Sequence, residues 1–167
     1  MVRRGLTQVG PWALCLGVGL WVAAVVLAPI AITSSNRIVS STAALVYAGG
    51  ARVCHQRPER CFWIGGRPLP VCARCTGLYV AAAAGAPVAL LLASAMSSAR
   101  ARRVALLAAL PTLITWGLEF AGLAHPSNVV RAIAALPLGF AAAWLVIVTL
   151  VDGPRPLRDR RGSPVRP

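Results

Sequence analysis

Four runs of about 20 apolar residues, at 11–32, 76–96, 104–124 and 129–151, dominate this chain of 167 residues, and each is long enough to cross the hydrocarbon of a bilayer as a helix. The expected fold class is therefore all-α, a polytopic membrane protein with four transmembrane helices. Hydrophobic residues make up 57% of the chain and the mean hydropathy is +0.71, beyond what a soluble domain carries. Pro111 and Gly117 interrupt the third run, and the fourth carries Arg131 near its start and Pro137 inside. Such residues are tolerated in spans where neighbouring helices satisfy the freed backbone groups.

The spans leave room for one membrane domain, residues 1–152, in which the connection 33–75 is the long loop. A shorter apolar piece at 38–48 contains Ser40, Ser41 and Thr42 and reads as a short interfacial or re-entrant helix. Residues 153–167, rich in Pro and charge without apolar periodicity, read as a disordered basic tail near anionic headgroups. Arg3 and Arg4 precede the first run as in a secretory signal, but its apolar part is longer than a signal core, which favours a retained span. Cys15 follows the bulky Leu14, which argues for a packing residue over a lipidated cysteine.

Orientation follows from arginine, because the chain has no lysine. Arg3 and Arg4, Arg100, Arg102 and Arg103, and the tail arginines all share one side if four spans alternate. That side is expected to be cytoplasmic, with both termini, in a multi-pass protein of the cell membrane. The net charge of +13 does not indicate nucleic acid, since these arginines flank spans and are not interleaved with aromatics. The lipid bilayer is the expected partner, and nothing in the sequence sets an oligomeric state.

The external loop runs against this charge rule. It carries Arg37, Arg52, Arg57, Arg60, Arg67 and Arg74 against a single acid, Glu59. Either the other side outvotes it, or the loop holds an anionic ligand such as a lipid phosphate, with Arg57, Arg60, Arg67 and Arg131 as candidate contacts.

The same loop holds the stretch "CHQRPERCFWIGGRPLPVCARC", residues 54–75, with four of the five cysteines. "CFWI" and "RPLPV" read as two short extended pieces around a Gly65–Gly66 turn, which would bring Cys61 toward Cys72. Cys72 and Cys75 then stand at the mouth of the second span, where a helix N-terminus and Arg74 favour thiolate. Three chemistries suit this loop. Cys72 and Cys75, with Cys54, His55 or both, make a zinc-type site; neighbouring residues 54 and 55 can both ligate only on irregular backbone, for which Gly49, Gly50 and Pro58 provide. Alternatively, Cys72 and Cys75 form a redox dithiol exchanging with Cys54 and Cys61, as in quinone-coupled disulfide generators, with a quinone as cofactor. Finally, an even count of four cysteines in an oxidising compartment suits two static disulfides.

The extended stretch "CHQRPERCFWIGGRPLPVCARCTGLY" resembles the signature of domain of unknown function 2085, a group of small prokaryotic multi-pass membrane proteins. The pattern reads Cys-His-Gln, then Pro-x-Arg-Ser-Phe, then Pro-x-Cys-x-Arg-Cys-Thr-Gly. It carries onto Cys54, His55, Gln56, Pro58, Arg60, Phe62, Pro70, Cys72, Arg74, Cys75, Thr76 and Gly77, and more weakly onto Ser127, Asn128 and Arg131. Cys61 stands where the pattern has serine, so the resemblance implies a Cys54, His55, Cys72 and Cys75 site rather than a Cys54–Cys61 shuttle. Thr115, Trp116 and Glu119 stand where such proteins carry an Asp-Gly followed by Gln. The family name supplies no activity.

Glu119 is the only acid in any span. With the third run ending at 124 it should sit about 7 to 8 Å below the outer end. Arg131 is its expected partner, as a structural ion pair or with Glu119 as a proton acceptor near the Cys/His cluster. If the protein is an enzyme, Glu119 and Arg74 are the candidate catalytic residues, acting on an anionic lipid or lipid-linked substrate. The remaining alternative is a transport or sensor protein stapled by metal or disulfides.

Overall fold

The computed structural model describes residues 2–92 and 96–152; the basic tail lies outside the described residues. Among the described residues, four helical stretches are long and apolar enough to span a membrane: Val9–Ala31, Ala73–Leu92, Ser98–Phe120 and Asn128–Val151. The first belongs to α1 (Val2–Ala31) and the second is α3 (Ala73–Leu92). The third is two helices, α4 (Ser98–Ala108) and α5 (Leu110–Phe120), and the fourth belongs to α6 (Asn128–Asp152). The all-α polytopic architecture is thus as the apolar runs imply. The third span divides because Pro111, the second residue of α5, has no N–H to give the preceding turn.

The boundaries moved where capping overrode hydropathy. Ser97 caps α4, its Oγ accepting from the Arg100 N–H at 3.4 Å, which draws Arg100, Arg102 and Arg103 into the helix. At the other end α5 stops at Phe120, four residues short of the expected 124. The Leu123 N–H donates to the Leu118 carbonyl at 2.9 Å and the Gly122 N–H to that of Glu119 at 3.2 Å. Gly122 takes φ +70°, the left-handed residue of a Schellman stop. Glu119 is therefore next to the last residue of its helix and not about 7 to 8 Å below its end.

The bundle is centred on α3 and α6, the most extensive helix–helix contact. Gly77, Ala81, Gly85 and Ala89 recur every four residues on α3, opposite Ala135, Gly139 and Ala143 on α6. A Cβ at Gly77 would strike the Ala132 carbonyl, and one at Gly139 the Leu78 carbonyl. The two backbones touch, which small residues permit and lipid tails cannot replace. Ala86, Ala89, Ala143 and Ile147 continue the core inward, with Leu14 and the partly buried Cys15 of α1 packed against it.

Helix α2 (Arg37–Val53) is capped by Asn36, whose Oδ1 accepts from the Ile38 N–H at 2.9 Å. It is longer than the expected 38–48. Its hydroxyls turn back on its own carbonyls, Thr42 to Ile38 at 2.8 Å, and the helix runs straight through Gly49 and Gly50. Gly49 lies against the Trp21 ring of α1, and at Gly50 a side chain would collide with Pro70. After α2 come a 3₁₀ turn at Pro58–Arg60 and a hairpin of β1 (Trp63–Ile64) and β2 (Arg67–Pro68), paired antiparallel with Trp63 opposite Pro68. Gly65 and Gly66, at φ +58° and +75°, form the two-residue turn that the Gly-Gly pair implies. Leu69, Val71 and Cys72 then run buried into α3.

Candidate metal centre

Cys54 is the residue after α2, still tied to it by its N–H donating to Gly50 at 2.9 Å, but already extended. Two residues on, Gln56 takes φ +48°, a left-handed turn rare for such a side chain. Its amide holds that turn, Nε2 donating to the carbonyls of Tyr47 and Pro70, both at 2.7 Å. Those two bonds clamp the end of α2 onto the segment entering α3, and the Cys72 N–H donates to Cys54 Sγ at 3.1 Å. In consequence Cys54 Sγ, a ring nitrogen of His55 and Cys72 Sγ all lie within 4.8 Å of one another. The irregular backbone expected of Gly49, Gly50 and Pro58 is supplied instead by Gln56. Its positive φ leaves no composition signal.

Cys75, in the first turn of α3, lies close to Cys72 and Cys54 but outside the group of three whose ligand atoms all lie within 4.8 Å of one another. The Cys75 side chain, opposed by burial and aided by Cys54 and the charge of His55, pulls the Cys72 thiol well below the usual range. Cys72 is therefore suited to act as a thiolate ligand. Cys61 differs. It is buried, 1% exposed, and its Sγ donates to the Arg57 carbonyl at 3.1 Å. Burial and the charges of Cys72 and Cys54 push its thiol up to about 11, so it stays protonated at neutral pH. All five cysteines are free thiols. The Arg57 N–H reaches His55 Nδ1 at 3.2 Å, so in the neutral ring the lone pair sits on Nδ1.

Beside this cluster lies a second one built on Glu119, whose side chain is 6% exposed. Arg131 grips the carboxylate through Nη2 at 2.8 Å and Nε at 3.4 Å, the partnership expected from sequence. Two further arginines join it, Arg74 at 2.8 Å and Arg60 at 3.0 Å, which sequence reasoning missed. Arg74 is turned to Glu119, with its Nε buried and unpartnered. Asn128 ties the clusters together: Arg131 Nη1 donates to its Oδ1 at 2.8 Å, and its Nδ2 donates to the Cys61 carbonyl at 2.9 Å. Arg67 is not brought here; it lines a separate groove with Tyr47 and Ile32. His125 is exposed in the α5–α6 turn.

Between the clusters opens a cavity of about 280 Å³ lined by His55, Arg57, Arg60, Trp116, Glu119 and Phe120. Trp116 and Phe120 stack at 5.3 Å between ring centroids and 17° between planes. Both rings are exposed, at 52% and 81%.

Comparison with known proteins adds a family. The model described as "Predicted membrane protein (DUF2085)" matches residues 54–145, more than half of the chain. The chain belongs to the DUF2085 family. The match begins at Cys54 and takes in α3, α4, α5 and most of α6, so both clusters lie inside the DUF2085 region, while α1 and α2 precede it. An uncharacterized protein of Methanothermobacter thermautotrophicus is 36% identical over 96 residues, covering 58% of this chain and 86% of that one. An uncharacterized protein of Methanocaldococcus jannaschii is 45% identical over 40 residues, 24% of this chain and 26% of that one. No solved structure matches the chain.

Proposed function

We propose that this DUF2085 protein carries a zinc-type metal centre of Cys54, His55, Cys72 and Cys75 on the outer face of the cell membrane, where the centre and the adjoining arginines serve an anionic lipid or lipid-linked group. The observation that carries the reading is the convergence of two thiols and an imidazole, with ligand atoms within 4.8 Å of one another. Ligands of a tetrahedral zinc ion stand about 3.4 to 3.8 Å apart, a modest contraction from there. Thiolate with imidazole selects zinc among common divalent ions. Cys75, beside this group, is the proposed fourth donor: bound, it closes the shell and makes the site structural; unbound, it leaves one coordination position open. The external placement rests on arginine, because the ends bearing Arg100, Arg102 and Arg103 lie opposite the Cys/His end of the spans.

The test is zinc content measured together with free thiols on protein purified in detergent. About one zinc per chain with all thiols free after chelation is the expected result. Disulfides without zinc would overturn the metal reading and favour a quinone-coupled thiol oxidoreductase using Cys72 and Cys75.

A further inference from the structure

The cavity between the clusters has an electrostatic surplus, and we infer that it binds the terminal phosphate of a phosphomonoester or diphosphate lipid, a headgroup with about two negative charges. This deepens the reading above by naming the ligand; it rests on that reading for the membrane setting and not for the metal.

Three guanidiniums surround one carboxylate at Glu119, and a fourth, Arg57, lines the same cavity. Even with Glu59 of the adjoining turn counted against them, two positive charges are left over. A zinc ion held by two thiolates and an imidazole is neutral; with Cys75 as a third thiolate the centre carries −1, and two positive charges still face the cavity because Glu59 does not line it. A phosphomonoester carries about −1.5 to −2 at neutral pH, whereas a phosphodiester such as phosphatidylglycerol carries one charge.

The arginines divide by mobility. Arg74 and Arg131 have side chains only 14% and 11% exposed, fixed by Glu119 and, for Arg131, by Asn128. They set the potential without having to move. Arg60 is the most exposed of the three at 30%, and with the exposed Arg57 it faces the cavity. These two can close on a phosphate from the loop side while Glu119 keeps its other two partners. Opposite them stands the Trp116–Phe120 stack, apolar and exposed at the outer end of a membrane span. Exposed aromatics at the end of a span lie at the membrane–water interface, at the level of lipid headgroups. Arginine on one side and lipid-facing aromatics on the other match an amphiphile with an anionic end. About 280 Å³ holds a headgroup and leaves the tails in the bilayer.

The experiment compares zinc-assayed protein in phosphatidylcholine nanodiscs containing phosphatidic acid, containing phosphatidylglycerol, or containing neither with inorganic phosphate in solution. Expected is at least about tenfold tighter retention of phosphatidic acid than of phosphatidylglycerol. Arg57→Gln and Arg60→Gln should each weaken phosphatidic acid about tenfold, the loss of one charge-assisted hydrogen bond, while keeping their zinc. Equal retention of the two lipids, or wild-type retention in both variants, would overturn the inference. Inorganic phosphate bound as tightly as phosphatidic acid would overturn it as a lipid site. Zinc-loaded protein without the preference refutes this inference alone, and zinc-free protein that keeps it refutes only the metal reading.

Discussion

Replacing Glu119 by glutamine removes the one negative charge around which three helix and loop ends are assembled. Its carboxylate receives Arg131 and Arg74 at 2.8 Å and Arg60 at 3.0 Å, so the variant leaves three guanidiniums facing one another with no counter-charge. Breaking a buried ion pair by deleting one partner costs about 3 to 5 kcal/mol, and here the uncompensated charges are on the arginine side. Arg60 lies partly in solvent, so Arg60→Gln should cost about 1 kcal/mol or less. Arg131→Gln also severs the link to Asn128 and should cost more than Arg60→Gln. At about 2 to 4 °C per kcal/mol for a chain of this size, Glu119→Gln is expected to lower the melting temperature by about 10 °C in detergent. The double variant Glu119→Gln/Arg131→Gln should fall well short of the sum of the two single losses, by a coupling of about 1 to 3 kcal/mol. It should not return to wild type, because Arg60 and Arg74 are still unmatched. Strict additivity, or a Glu119→Gln variant within 2 °C of wild type, a shift of about half a kcal/mol, would refute the assembly.

Gly139→Ala should destabilise the bundle by about 1 to 3 kcal/mol, read as a melting shift, because its Cβ meets the Leu78 carbonyl; Gly17→Ala, with open space around it, is the control and should not destabilise. Cys72→Ser and Cys75→Ser should each abolish zinc binding measured by metal analysis, whereas Cys61→Ser, a protonated thiol bonded to the Arg57 carbonyl, should largely spare it. The thiol of Cys61 is raised in the fold from 9.0 to about 11, so folding favours its neutral form. Its contribution is full below the unfolded value and is lost as pH rises toward about 11; denaturant midpoints should fall over that window, and less so in Cys61→Ser. Finally, a cysteine placed at Ser35 should react with a membrane-impermeant reagent in intact cells and one at Ser98 should not.

The architecture was legible because lipid imposes so few solutions. A run such as 129–151 can hide from neither hydropathy nor length, and α6 differs from it by one residue at each end. The hairpin was legible too, since two adjacent glycines supply the two positive φ values its turn requires. What hydropathy could not mark was termination. Leu123 and Ala124 are as apolar as the helix before them, yet Gly122 in the left-handed region ends α5 first, which lifted Glu119 to the mouth of the bundle and within reach of Arg60 and Arg74. Gln56 shows the reverse case. No propensity assigns a glutamine a left-handed turn, and the turn exists only because its amide finds the Tyr47 and Pro70 carbonyls from segments separated in sequence.

The loop arginines that opposed the orientation rule can now be sorted. Arg60 and Arg74 are drawn to Glu119 and so join the loop and α3 to α5, although one carboxylate cannot neutralise both together with Arg131. Arg37 and Arg52 lie exposed on α2, and Arg67 on the hairpin belongs to another groove. Arg57 remains: it faces the cavity, and its N–H and carbonyl serve His55 and Cys61. A single residue thus touches the imidazole, the protonated thiol and the space beside Glu119. The chain runs from Cys54 through Arg57 to Arg60 without a regular helix or strand until the 3₁₀ turn at Pro58–Arg60, so a ligand that shifts His55 also shifts the peptide carrying Arg57. If the thiol and imidazole cluster holds zinc as proposed, chelation is therefore expected to change anion retention in the arginine cavity, although no arginine is among the proposed ligands.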